Sequence, residues 1–144
     1  MPVYTLKRTY IGQLPHGSDL YGSLSGIVVQ ENIRMGRIQA IGATTHAVVA
    51  YYHQESRKYL PVEFTGGMEI LSCIGNVSLR DGKPFVHVHI TLGDAEGKAI
   101  GGHLMPGTTV FACEVNIEEF EGESLVREHD ERTGLHLWSS GSLL

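Results

Sequence analysis

Between Phe85 and Leu92 the residues alternate, with Val86, Val88, Ile90 and Leu92 on one parity and Phe85, His87, His89 and Thr91 on the other. Successive side chains of a strand point to opposite faces, so this stretch predicts a strand with one apolar face and one face of imidazoles. Pro84 stands at its first position, where no ladder hydrogen bond is needed from it. The polar connection Gly93-Asp-Ala-Glu-Gly-Lys98 then returns the chain through an antiparallel strand, Ala99-Ile-Gly-Gly-His-Leu104. Upstream, Met68 to Leu79 reads as a long strand, and Asp81-Gly82 is a strong two-residue hairpin signal that places Asn76 opposite His87.

The same period of two recurs elsewhere. Val3 to Leu14 alternates imperfectly, Ile38 to His53 carries Ile41, Ala43, Thr45, Ala47, Val49 and Tyr51 on one face, and Tyr59 to Phe64 follows as its hairpin partner. Met105-Pro-Gly-Thr108 suits a type II turn leading into a strand from Thr109 to Ile117. Glu118 to Glu123 reads as an acidic, solvated turn, Leu125 to Arg127 as a last short strand, Asp130 to Gly134 as a turn before Leu135–Trp138, and Ser139 to Ser142 as a frayed end. One segment changes period: Leu20, Leu24, Ile27, Val28 and Glu31 lie at helical spacing and predict a helix from Asp19 to Asn32, with Ser18 as its N-cap. Gly22 and Gly26, four residues apart, predict a flat stripe against the sheet. The expected fold is an α+β domain spanning 1–144, a twisted and largely antiparallel sheet packed on one main helix.

Composition narrows the class. With 144 residues, 42% hydrophobic and 19% charged, the chain has the size and balance of one ordinary domain. No apolar run reaches the roughly 20 residues of a membrane span, and the N-terminus lacks a signal-peptide core, so a cytoplasmic protein without membrane contact is expected. Cys73 and Cys113 each lie in an apolar run without metal-ligand spacing and are expected to pack as free thiols. Eleven Lys and Arg against sixteen Asp and Glu give a formal charge of −5. Duplex DNA is held by neutralising phosphates, and Arg34, Arg37, Arg57 and Lys58 are the nearest approach to a basic patch, so charge does not favour DNA as a partner.

The histidines are the strongest chemical signal. A His-x-His pair alone does not define a metal site, and a one-residue slip would send His103 to the other face. If His103 pairs opposite His89, the two β-carbons lie about 4.5–5.5 Å apart with His87 a diagonal neighbour, and three imidazoles converge. Three protein ligands and an open position make a reactive divalent-metal site; zinc is the commonest occupant, although nickel, copper and iron share the ligand preference. Gly101 and Gly102 are expected to keep the wall beside it free of side chains. Asn76 is a candidate to orient a bound water or small-molecule ligand, and equally a turn or bulge residue after Gly75. Glu114 is a candidate outer-shell acid, too far along its strand for direct ligation unless register or a second subunit brings it closer. His46 and His53 lie on opposite parities and are read as ordinary strand or surface residues.

Leu71-Ser-Cys-Ile-Gly-Asn-Val-Ser78, Val86-His-Val-His89, Gly101-Gly-His-Leu104 and Cys113-Glu-Val115 together resemble the PPC domain, the plant and prokaryote conserved domain. Weaker counterparts are Gly17-Ser-Asp-Leu20, Gly36-Arg-Ile-Gln-Ala-Ile-Gly42 and Arg127-Glu-His-Asp130. The resemblance implies a homotrimer and a DNA-binding or regulatory role, a label that stems from nuclear plant relatives carrying AT-hooks. The His-x-His strand followed by Gly-His also resembles, more distantly, the zinc region of acetolactate decarboxylases. That resemblance implies His87, His89 and His103 as ligands and a zinc-dependent hydrolytic or decarboxylase-like enzyme acting on a small carbonyl substrate as the alternative function.

Overall fold

The computed structural model describes residues 3–139. Among the described residues, eight strands, β1 (Thr5–Leu14), β2 (Gly36–His53), β3 (Lys58–Arg80), β4 (Lys83–Gly93), β5 (Ala99–Leu104), β6 (Thr109–Glu121), β7 (Val126–Asp130) and β8 (Leu135–Trp138), form one sheet, with one helix, α1 (Leu20–Gln30), between β1 and β2. The strand order is β1-β6-β2-β5-β4-β3-β7-β8, and β2 also pairs with β3. The expected helix and antiparallel sheet are present, but the fold is mostly β, and the β3–β7 pair is parallel.

The sheet closes on itself because β2 changes partner along its length. Its first part runs beside β6 as far as His46↔Thr109, and beyond the bulge at Thr44/His46 it meets β5 at Val49↔Leu104 and Ala50↔His103. On its other edge it follows β3 from Gly36↔Val77 to His53↔Lys58. β2, β5, β4 and β3 therefore make a closed ring of paired strands. Inside it pack Val86, Val88, Ile90 and Leu92, the apolar parity of β4, each no more than 2% exposed. Helix α1 lays its buried Leu20, Leu24 and Val28 against this core and contacts β4. Burial of each such side chain is worth about 1.5–3 kcal/mol.

Several expectations are corrected. The segments Tyr59–Phe64 and Met68–Leu79 are one strand, because Gly66 at φ +103° and Gly67 carry the chain through without ending the ladder. The acidic stretch Glu118–Glu123 is not a solvated turn as far as Glu121: it extends β6, and Glu119 is buried against Lys7 and Arg8. Cross-strand cations offset the desolvation of that carboxylate, which local composition could not reveal. The helix N-cap is Asp19, not Ser18; its Oδ1 accepts from Gly22 N at 2.6 Å and its Oδ2 from Gly107 N at 2.5 Å, tying the helix start to the Met105–Thr108 turn. Gly22 and Gly26 are exposed rather than set against the sheet, since the buried stripe is Leu20, Leu24 and Val28. Both cysteines are buried free thiols, pushed up by burial to about 12 for Cys73 and about 11 for Cys113. Beyond Ser139, the expected frayed end lies outside the described residues.

Candidate metal centre

Strand register assembles the histidines. His89 pairs with His103 across β4 and β5, and Asn76 pairs with His87 across β3 and β4, as the alternation and the Asp81-Gly82 turn predict. Asp81 at φ +52° and Gly82 at φ +73° adopt the double left-handed conformation of a tight hairpin, which fixes that register. Glycines let the strands come close. A β-carbon on Gly75 would collide with the His87 carbonyl, and one on Gly101 with the Ile90 carbonyl. Gly102 faces Val49 and the Ala50 carbonyl. Gly101 and Gly102 thus serve strand approach, rather than clearing a wall beside the histidines.

The three rings converge, with centroids 5.1 Å apart for His87 and His89, 5.0 Å for His87 and His103, and 5.5 Å for His89 and His103. One nitrogen from each lies within 4.8 Å of the other two. His87 Nε2 and His89 Nε2 are 3.2 Å apart. Two nitrogens bound to one tetrahedral zinc are about 3.3 Å apart, as bond lengths of about 2.0–2.1 Å require. The donor set therefore fits a divalent transition metal. His103 Nδ1 is buried without a hydrogen-bond partner, and its ring lies 5.0 Å from that of Tyr59.

Electrostatics keeps two of the rings neutral. Burial lowers His87 to about 4, helped by Arg127 and by the other two imidazoles. Burial likewise lowers His103 to about 4, with His89 and Arg127 adding to it. A neutral imidazole is the form that ligates a metal. Arg127 Nη2 lies 3.3 Å from His87 Nδ1, and because a guanidinium only donates, Nδ1 is the acceptor in the metal-free chain.

Arg127 is the residue that sequence reasoning missed. The parallel pairing of β7 with β3 brings it beside Arg80, and its side chain turns inward. Its Nε donates to Ser78 Oγ at 2.8 Å, Nη2 to Asn76 Oδ1 at 2.8 Å and Nη1 to the His136 carbonyl at 3.0 Å. The guanidinium carbon lies 5.6 Å from both the Phe85 and Trp138 rings. Asn76 thus stands at the site and holds Arg127. The signal that could have found Arg127 was its place in Arg127-Glu-His-Asp130, but its closing position depends on a parallel pairing that no local pattern announces. Beside the histidines opens a cavity of about 340 Å³, walled by Tyr59, Arg80, Phe85, Arg127 and residues 134–137.

Glu114 does not line this cavity. It pairs with Ile41 and Gln13 and lines a separate groove on the outer face with Ile11, Gln39 and Ile74. His46 approaches Glu63 at 4.0 Å, and His53 Nδ1 accepts from Ser56 N at 3.2 Å, so both are placed as ordinary strand and turn residues.

A mostly β domain with a convergent histidine triad at a strand pair is the class that this fold and site define. Residues 1–121 match the Plants and Prokaryotes Conserved (PCC) domain, and the chain belongs to that family. It is similar to a metal-containing protein of Archaeoglobus fulgidus, with 39% identity over 97% of this chain and 99% of that one and a TM-score of 0.91. A plant- and prokaryote-conserved (PPC) protein of Pyrococcus horikoshii is 36% identical over 98% and 97% of the two chains, also with a TM-score of 0.91. A candidate DNA-binding protein of Bacteroides thetaiotaomicron is 25% identical over 94% and 96%, with a TM-score of 0.86. A Staphylococcus aureus protein similar to α-acetolactate decarboxylase shares the fold at 15% identity and a TM-score of 0.56, covering 81% of this chain and 53% of that one. Among curated proteins, the bifunctional protein GlmU of a Synechococcus strain is 30% identical over 93% of this chain, which spans 20% of that relative's length.

Proposed function

We propose that this member of the Plants and Prokaryotes Conserved family binds a divalent transition metal, zinc foremost, through His87, His89 and His103. The observation that carries the reading is the 3.2 Å separation of His87 Nε2 and His89 Nε2 with His103 facing both, the spacing a tetrahedral ion requires. Similarity to a metal-containing archaeal protein at 39% identity supports it. Only neutral imidazoles ligate, so binding weakens as pH falls. Elemental analysis of the purified protein and of a His87→Ala, His89→Ala double variant tests the site. Stoichiometric metal in the wild type and its loss in the variant are expected; no metal after incubation with zinc, or equal content in both, refutes it.

Two roles fit such a protein, and they separate by assay. The family relationship and the Bacteroides relative support a DNA-binding or regulatory protein. The cavity beside the histidines supports a metal-dependent enzyme, in which the ion would polarise a small carbonyl compound or lower the pKa of bound water to about 7. Metal-dependent turnover of a small molecule marks the enzyme, and metal-independent, salt-sensitive retardation of duplex DNA marks the binding protein.

The homotrimer belongs to the same proposal. Ile11, Ile41, Leu71 and Ile74 are 55–80% exposed and line one groove across β1, β6, β2 and β3, with Glu114 and Asn116 among its polar members. In that groove Asn116 Oδ1 is buried without a hydrogen-bond partner, and a neighbouring subunit would cover both. Among the described residues no helix is long and apolar enough to cross a membrane, and the unbridged Cys73 and Cys113 accord with the reducing cytoplasm.

A further inference from the structure

The cavity beside the histidines has an uncompensated positive charge. Arg127 is only 8% exposed, and a buried cation ordinarily faces a carboxylate, because removing it from water costs several kcal/mol. All four groups it touches, Ser78 Oγ, Asn76 Oδ1, the His136 carbonyl and His87 Nδ1, are neutral. Among the described residues no acid pairs with it, and no acidic side chain lines the cavity. Four of the five donors of the guanidinium are thereby occupied, leaving one N–H on Nη1. Arg80 adds a second cation to the same wall; its acidic neighbour is Asp81 at 3.9 Å, whose side chain is 90% exposed.

We infer that this cavity takes a small organic carboxylate, its charged end on Arg127 and Arg80 and its remaining polar group toward His87 and His103. The free N–H on Nη1 of Arg127 can take one carboxylate oxygen while the Arg80 guanidinium takes the other, each as a charge-assisted hydrogen bond. Phe85, Tyr59 and Leu137 give the carbon part an apolar wall. The volume of about 340 Å³ lies at the small end of ligand cavities, which limits the occupant to a compact acid. The inference rests on the metal-site reading for the direction in which the ligand lies, and on the arginines alone for its charge.

The test is calorimetric titration of the full chain, metal-stripped and cobalt-loaded, with pyruvate, lactate and benzoate, each set against its neutral methyl ester. At least one acid should bind saturably and its ester should not. Arg127→Gln and Arg80→Gln should each weaken binding by about tenfold or more, and Arg80→Gln should leave metal content unchanged. If Arg127→Gln does not fold, the half-exposed Arg80→Gln decides. No saturable binding of any acid to folded wild type, equal binding of acid and ester, or full affinity in Arg80→Gln overturns the inference. Elemental analysis on the same samples separates the two readings. Arginine-dependent binding without metal would remove the metal site and leave the carboxylate; full metal occupancy without acid binding would do the reverse.

Discussion

Acid should destabilise the metal-free protein in a window set by His87 and His103. Burial is the main reason each ring is held at about 4 in the folded chain. The unfolded chain protonates the same rings near 6.5. Between those values the unfolded state binds more protons than the folded one, so stability rises with pH across the window and is lost as pH falls through it. At about pH 5 the face-value loss is about 2 kcal/mol per ring relative to about pH 7.5. Both rings keep partial solvent access, and screening brings the expected loss to roughly 2 kcal/mol for the pair. Glu119 acts later: burial raises it, but hydrogen bonds from Arg8 and Lys7 outweigh that and hold it below its ordinary value, so its contribution is lost only at lower pH. Urea unfolding in chelator at fixed protein concentration, at about pH 7.5, 6 and 5, measures the slope. A His87→Gln, His103→Gln variant should flatten it. Equal stability at the two ends of the window, or an unchanged slope in that variant, would refute the reasoning.

Three other outcomes follow from the packing. Gly75→Ala sets a β-carbon against the His87 carbonyl and should cost about 1–3 kcal/mol in urea unfolding and weaken metal binding with it; a neutral effect would contradict the close strand approach. Asp19→Ala removes acceptors for both Gly22 N and Gly107 N and should cost about 1–2 kcal/mol, measured as a lowered denaturation midpoint at unchanged slope. Sedimentation should give a trimer for the wild type at micromolar concentration and smaller species for an Ile41→Glu, Ile74→Glu variant; a monomeric wild type would refute the assembly.

How much was legible depended on the range of the interaction. The β4 alternation and the Asp81-Gly82 turn are local, and together they predicted both the apolar face of β4 and the pairing of Asn76 with His87. The pairing of His103 with His89 needed only a short hairpin and was equally accessible. Glu119 was misread because its partners, Lys7 and Arg8, lie more than a hundred residues away, and a run of carboxylates looks solvated until those partners are placed. Arg127 escaped for the same reason. Its neighbours Asn76 and His87 come from other strands, and the β3–β7 pairing that delivers it is the one parallel ladder among the described strands. Glu114, a candidate outer-shell acid by sequence, pairs with Ile41 and lies in the outer groove, because neither the β2–β6 register nor its strand's direction could be read from its own neighbours.

The distribution of cations bears directly on DNA. Of the eleven Lys and Arg residues, Lys7 and Arg8 are paired with Glu119, Arg37 with Glu118 and Arg132 with Asp130, while Arg80 and Arg127 face the cavity. Arg34, Arg57, Lys58, Lys83 and Lys98 remain outside these arrangements. A duplex contact gains affinity by releasing counterions, with log affinity falling by about 0.9 per unit of log salt for each neutralised phosphate. Tight binding with six or more phosphate contacts per chain would exceed that supply of cations, and the sixteen acidic residues would oppose it. The expected result with labelled duplex is weak retardation confined to low salt, with a slope corresponding to about two or three phosphates per chain. Stable complexes at about 150 mM salt with a slope of about −5 or steeper per chain would show that the ion pairs at Glu118 and Glu119 open to release their cations, and the charge argument against DNA would fall.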